Sequence, residues 1–243
     1  GATAAGVDRG EPSLEQRKSP RVIAVDGSAA SGKSSIGRVL AAKLGYPFLD
    51  TGIMYRAVTF AALERGINLN DQGALTHLAQ SINVEVRLPK PGSADSAVIM
   101  VDGKDVTSRL RQRRVEEAVS LVSRVAGVRD ALVHLQRLIA GHQAIVMAGR
   151  DIGTVVLPDA DLKVYLDASV EERARRRYQE FAASGRDVTR KMVAEDLRRR
   201  DRIDSQRAVS PLRPADDAIV INTEGIDQDE VLQRVLALVE DRR

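Results

Sequence analysis

The chain has 243 residues, 43% of them hydrophobic and 29% charged, with 37 Lys and Arg against 34 Asp and Glu. That length can bury roughly 70 to 75% of the unfolded surface in one large domain, and the absence of cysteine excludes disulfides, thiolate zinc sites and cysteine nucleophiles together. A net charge of +3 and 3% aromatic residues give little to bind nucleic acid with, and apolar runs of strand length exclude a transmembrane helix.

Residues 1–20, "GATAAGVDRGEPSLEQRKSP", hold two prolines and no apolar period, so they read as a flexible tail, and they lack the apolar core of a secretory signal. With no cysteine and no membrane segment, a cytoplasmic location is expected. "RVIAV" at 21–25 is the first of several apolar, β-branched runs; "AIVMA" (144–148), "LKVYLD" (162–167) and "AIVIN" (218–222) repeat it. Between them lie the helical patterns "SSIGRVLAAKL", "MYRAVTFAALERG", "VSRVAGVRDALVHLQRLIA" and "DEVLQRVLALVEDRR". Buried strands alternating with helices predict a three-layer α/β fold around a central parallel sheet.

Two segments depart from that rhythm. "INVEVRL" and "AVIMVDGKDVT" flank a turn-forming "KPGSADS", and Asp102-Gly103 is a hairpin signal, so a small antiparallel insert is expected. Residues 171–207 hold twelve basic against eight acidic residues and are interrupted at "ASGRD". The glycine there lets two arginine-rich helices fold back as a helical lid; such charge is either a solvated helix face or a surface that closes on polyanions.

Gly27, Ser28, Ala29, Ala30, Ser31, Gly32, Lys33 and Ser34, "GSAASGKS", match a phosphate-binding loop, with Ser35 following. A predicted strand precedes it and a predicted helix follows, the context in which backbone N–H groups and a helix N-terminus converge on phosphates. Lys33 would reach the β- and γ-phosphates of ATP and Ser34 would ligate Mg²⁺. In "YPFLDTGIMYR" a second strand ends at Asp50, which could orient the metal or its waters, while Thr51 and Arg56 open the next helix at the ligand crevice of a doubly wound sheet. Arg150 and Asp151 occupy the same position after "AIVMAG". Arg200, Asp204 and Arg207 share one helix face that continues from Val193 and Leu197.

The order of "GSAASGKSS", "LDTGIMYRA", "VSRVAGVRDAL", "AGRDIGTVVLPDADLKVYLDAS", "ERARRR" and "RRRDRIDSQRAVSPL" resembles the bacterial cytidylate kinases, P-loop enzymes that move the γ-phosphoryl of ATP to CMP or dCMP. The resemblance spans residues 21–240 and implies a kinase domain over 21–243, with the monophosphate-binding region and its β insert at about 50–130 and the lid at about 171–205. It implies that Arg56, Arg150 and Arg207 grip the monophosphate, that Ser120, Arg129 and Asp151 read cytosine, and that Thr51, Arg200 and Asp204 lie near the sugar and phosphate. Lys33, Arg150 and lid arginines, Arg173, Arg176 and Arg177 being candidates, would surround the moving phosphoryl. The expected partners are ATP, Mg²⁺ and CMP or dCMP, acting on a monomer, with no nucleic acid and no membrane. The loop reads "SAAS" where many relatives carry proline or a further glycine. Another P-loop kinase with a different acceptor, such as shikimate, is the alternative that an acceptor screen separates; a basic nucleic-acid-binding module is disfavoured by the interspersed acids.

Overall fold

The computed structural model describes residues 19–93 and 95–242, so residues 1–18 of the segment read above as a tail lie outside the described residues. β1 (Val22–Gly27) runs through the glycine-rich turn into α1 (Lys33–Leu44), and β2 (Phe48–Asp50) runs into α2 (Gly52–Glu64). After α3 (Gln72–Ser81), whose first turn is capped by the Asp71 carboxylate accepting from Ala74 N–H, come β3 (Val84–Arg87), β4 (Val98–Val101) and β5 (Lys104–Asp105). Next follow α4 (Arg113–Ser123), α5 (Ala126–Ala140), β6 (Ile145–Gly149), a helical turn at Ile152–Val156 and β7 (Leu162–Asp167). The chain closes with α6 (Val170–Ala183), α7 (Arg190–Gln206), β8 (Ile219–Asn222) and α8 (Gln228–Glu240). Among the described residues no helix is long and apolar enough to cross a membrane.

Five strands form one parallel sheet in the order β2-β6-β1-β7-β8, buried on both sides because alternate residues serve two apolar layers. Ile23 and Val25 of β1 pack with Ile36 and Leu40 of α1 and Val235 of α8, whereas Ala24 faces Met54, Val58 and Leu132 on the opposite side, where α2 to α5 lie. The predicted three-layer fold is therefore present, and β1 stands at the sheet centre. Its carboxyl end, where the glycine-rich turn begins, opens between β6 and β7 at the crevice characteristic of doubly wound sheets. The insert is also as expected: β3, β4 and β5 form an antiparallel sheet, and Asp102 (φ 49) and Gly103 (φ 78) make the turn between β4 and β5.

One element differs from its sequence pattern. "VSRVAGVRDALVHLQRLIA" keeps a helical period throughout, yet the helix breaks at Arg124 and Val125, where Val125 turns to φ −74, ψ 120. The backbone beyond the break presses on α3 so closely that a Cβ at Gly127 would lie 2.2 Å from Thr76. Packing overrides local preference here. The break also frees the carbonyl of Ser123, which accepts from Arg129 Nη1 at 3.0 Å.

α6 and α7 fold back on each other as the arginine-rich hairpin, with Gly185 (φ 74) in the connection and N-caps from Ser169 and Thr189. Its apolar seam is small, Ala174, Val193 and Leu197 meeting Ala29 of the loop, and ion pairs Arg173–Asp201 at 2.5 Å and Arg198–Glu171 at 2.9 Å join the two helices.

Candidate active site

The loop after β1 is shaped by conformation more than by side chains. Gly32 takes φ 88 as the N-cap of α1, and Ala30 sits at φ 61, a left-handed position where a Cβ costs about 1 kcal/mol or more. A glycine at this position would carry no such cost. Lys33 is buried, and its Nζ donates to the Ser28 carbonyl at 3.0 Å. Burial, with Arg150 and Arg177 nearby, lowers its pKa from 10.5 to about 7, against the opposing pull of Asp50 and Asp204. Ser34 Oγ donates to Asp50 Oδ2 at 2.7 Å, so the first turn of α1 and the end of β2 present a hydroxyl and a carboxylate side by side. Two hard oxygen donors beside a phosphate loop suit Mg²⁺, which takes few protein ligands and keeps waters and phosphate oxygens for the rest.

The loop opens on a cavity of about 830 Å³. On its donor side lie Ala29 to Ser35; Gly27 and Ser28 form the base of the loop behind them. Thr51 stands at the N-terminus of α2, its Oγ1 donating to the Ala148 carbonyl at 2.9 Å, and Arg56 lies one turn further on. Deeper in, Ser120 and Arg129 from α4 and α5 face Arg150 and Asp151 from the turn after β6. Arg129 and Asp151, both 2% exposed, form an ion pair of 2.5 Å, and the Arg129 guanidinium lies 4.8 Å above the Tyr55 ring. Arg129 Nε has no hydrogen-bond partner among the described residues.

From the α6–α7 hairpin, Arg176, Arg177 and Arg200 also line the cavity, as does Arg207 just after α7. Burial pushes the Arg200 and Arg207 guanidiniums down to about 10, so both remain charged at neutral pH. Asp204 is 1% exposed and lies behind the wall, paired with Arg150 Nε at 2.5 Å and Arg207 Nη1 at 3.6 Å; it orients these arginines from below. Arg173 departs from the role expected of it. Its guanidinium donates to the carbonyls of Ala168 and Ala29 and to both oxygens of Asp201, which uses it as a tie between lid and loop and leaves it off the cavity wall. Arg176 is partly occupied too, bonded to Glu172 and to Thr223.

A phosphate loop facing an arginine wall and a buried guanidinium–carboxylate pair suits two phosphorylated ligands; sequence comparison gives the family. The sequence model described as cytidylate kinase matches residues 23–241. The chain belongs to the cytidylate kinase family. A cytidylate kinase of Herpetosiphon aurantiacus is 49% identical over 222 residues, covering 90% of this chain and 94% of the relative. One from Pelotomaculum thermopropionicum is 46% identical over 217 residues (89% and 95% covered), and one from Bacillus licheniformis 43% over 220 residues (90% and 96%).

Within this cytidylate kinase framework the structure adds residues that the sequence reading missed. Tyr55 adjoins Arg56 in a quoted motif, but nothing in the sequence shows that its ring lies under Arg129. Gln136, two helical turns beyond Arg129 on α5, is fully buried beside Tyr55. Asp26, the last acid before the loop, is 5% exposed and binds the turn that carries Asp151. A charged residue closing a buried apolar strand was the available signal for it.

Proposed function

We infer that this chain transfers the γ-phosphoryl group of ATP to CMP or dCMP, giving ADP and the cytidine diphosphate. The observation that carries the reading is the single cavity shared by the phosphate loop and the Arg129–Asp151 pair. Cytosine offers an exocyclic amino donor and the acceptors N3 and O2, which complement a carboxylate and a guanidinium. Uracil turns O4 toward that carboxylate, acceptor against acceptor, at a cost of roughly 1 to 3 kcal/mol for an unpaired buried group.

The attacking atom is an oxygen of the acceptor phosphate, largely ionised at pH 7 because a phosphate monoester has a second pKa of about 6. No general base is needed, and the work is positioning two polyanions in line while their repulsion is neutralised. Arg56, Arg150 and Arg207 hold the acceptor phosphate; Thr51 and Arg200 lie on the sugar and phosphate side. Lys33 and the loop N–H groups hold the donor phosphates, and Arg177 is the lid arginine best placed for the moving phosphoryl. Ser34 and Asp50 would hold Mg²⁺, which neutralises phosphate charge when bound. Closure of the lid excludes water, the competing acceptor.

ADP release measured with MgATP against CMP, dCMP, UMP, AMP and shikimate tests the assignment. CMP or dCMP should turn over fastest, with UMP slower by about 10- to 100-fold in kcat/KM. A faster reaction with shikimate or AMP would remove the cytosine assignment while leaving the phosphate loop standing.

A further inference from the structure

Asp26 has no part in the mechanism above, yet it is buried at the centre of the sheet. It is the penultimate residue of β1, flanked by Gly149 of β6 and Tyr165 of β7. Its Oδ1 accepts from Ile152 N–H at 2.9 Å and its Oδ2 from Gly153 N–H at 2.8 Å. Those are the first free N–H groups of the helical turn at Ile152–Val156, so the carboxylate caps that turn from a different strand. Arg150 and Asp151 directly precede the capped groups. Gly153 leaves room for the arrangement, since a Cβ there would lie 3.1 Å from Lys163 Cδ and 3.4 Å from Asp26 Oδ2. Burial pushes the Asp26 carboxyl up to about 6, the two N–H donors working the other way, so it is ionised at pH 8. A charge kept in the sheet interior against that penalty needs a return, and the capped turn supplies it.

We propose that Asp26 is a positioning residue for the acceptor half of the site, its two backbone hydrogen bonds fixing the 150–153 turn so that Arg150 meets the acceptor phosphate and Asp151 meets the base. The carboxylate thereby ties the acceptor turn to the strand that carries the phosphate loop. This rests on the reading of the cavity given under Proposed function.

Asp26→Asn keeps the shape but offers one acceptor and one NH₂ donor, so only one of the two N–H groups remains paired. Steady-state kinetics at pH 8 should show the KM for CMP raised about tenfold or more, with the KM for MgATP changed less than about twofold, because displacement is confined to the acceptor turn. The CMP-over-UMP ratio of kcat/KM should fall several-fold, a change that general loosening of the fold would not produce selectively. Gly153→Ala, which retains the carboxylate and crowds the turn, should give the same acceptor-selective pattern and serves if the asparagine variant does not fold. Unchanged CMP kinetics in both variants, or equal losses for ATP and CMP, would overturn the proposal. Failure of the wild-type chain to use CMP at all would instead remove the underlying functional reading, so the two failures are distinguishable.

Discussion

At the scale of single residues, Lys33 is held in a state that its ligand must change. Burial and the neighbouring Arg150 bring its pKa down to about 7, which favours the neutral amine in the free protein at pH 8. The phosphates of ATP favour the ammonium form, and their binding should draw a proton from solvent. Titration calorimetry of an unreactive ATP analogue with Mg²⁺ at pH 8, in buffers of different ionisation enthalpy, should therefore show uptake approaching one proton. Lys33→Met should abolish that uptake and lower turnover by about three orders of magnitude or more, by comparison with other charges that stabilise phosphoryl transfer. No uptake in the wild type would mean that Lys33 is already charged, with the Ser28 carbonyl as its partner.

Among elements, the lid poses the sharper question, because Arg173 and Arg177 stand four residues apart on α6 and do different things. Arg173 ties Asp201 of α7 to the carbonyl of Ala29, whereas Arg177 lines the cavity and, among the described residues, is ion-paired only with exposed Glu180 at 3.3 Å. Arg173→Met should cost about 3 kcal/mol of stability, since it strands a carboxylate and two carbonyls in a largely buried setting. Arg177→Met should leave stability within about 0.5 kcal/mol and still lower turnover by about 10² to 10³. Denaturant midpoints and kcat measured on both variants decide the matter, and a stable but slow Arg173→Met would return Arg173 to the reaction centre. This pair also marks the reach of the sequence. Strand runs, the phosphate loop and the hairpin at Asp102-Gly103 were legible because each rests on local composition and spacing, whereas the acceptor roles of Arg56, Arg150 and Arg207 rested on the family resemblance. Depth within a helix face was not, since i and i+4 share a face without revealing which is covered by a neighbouring chain segment. The break at Val125 was hidden for the same reason: the helical period continues through it, and contact with Thr76 of α3 decides the backbone.

For the whole molecule, the site is a concentration of positive charge that the fold holds together at a cost. Burial opposes the charge on Lys33, Arg56, Arg200 and Arg207, and the cavity-lining arginines lower one another's affinity for protons. Among the described residues Arg207 Nη2 has no hydrogen-bond partner, and Arg200 Nε has only the Asp196 carboxylate at 3.7 Å. The ligands supply the missing anions, so stability and occupancy are linked. CMP at a hundredfold excess over its Kd should stabilise the fold by about 2.7 kcal/mol, which for a chain of this size is a rise in thermal midpoint on the order of 5 to 10 °C. Arg207→Met tests whether that stabilisation is repayment of stored repulsion. Asp204 keeps Arg150 as its partner at 2.5 Å, so the substitution strands no charge, and the free variant should melt at or above the wild-type temperature. Its response to CMP should shrink if Arg207 is one of the three guanidiniums that hold the acceptor phosphate, as proposed above. A free variant that melts well below the wild type would instead make the arginine cluster a structural network that happens to line the cavity, and the stability cost of the site would have to lie elsewhere.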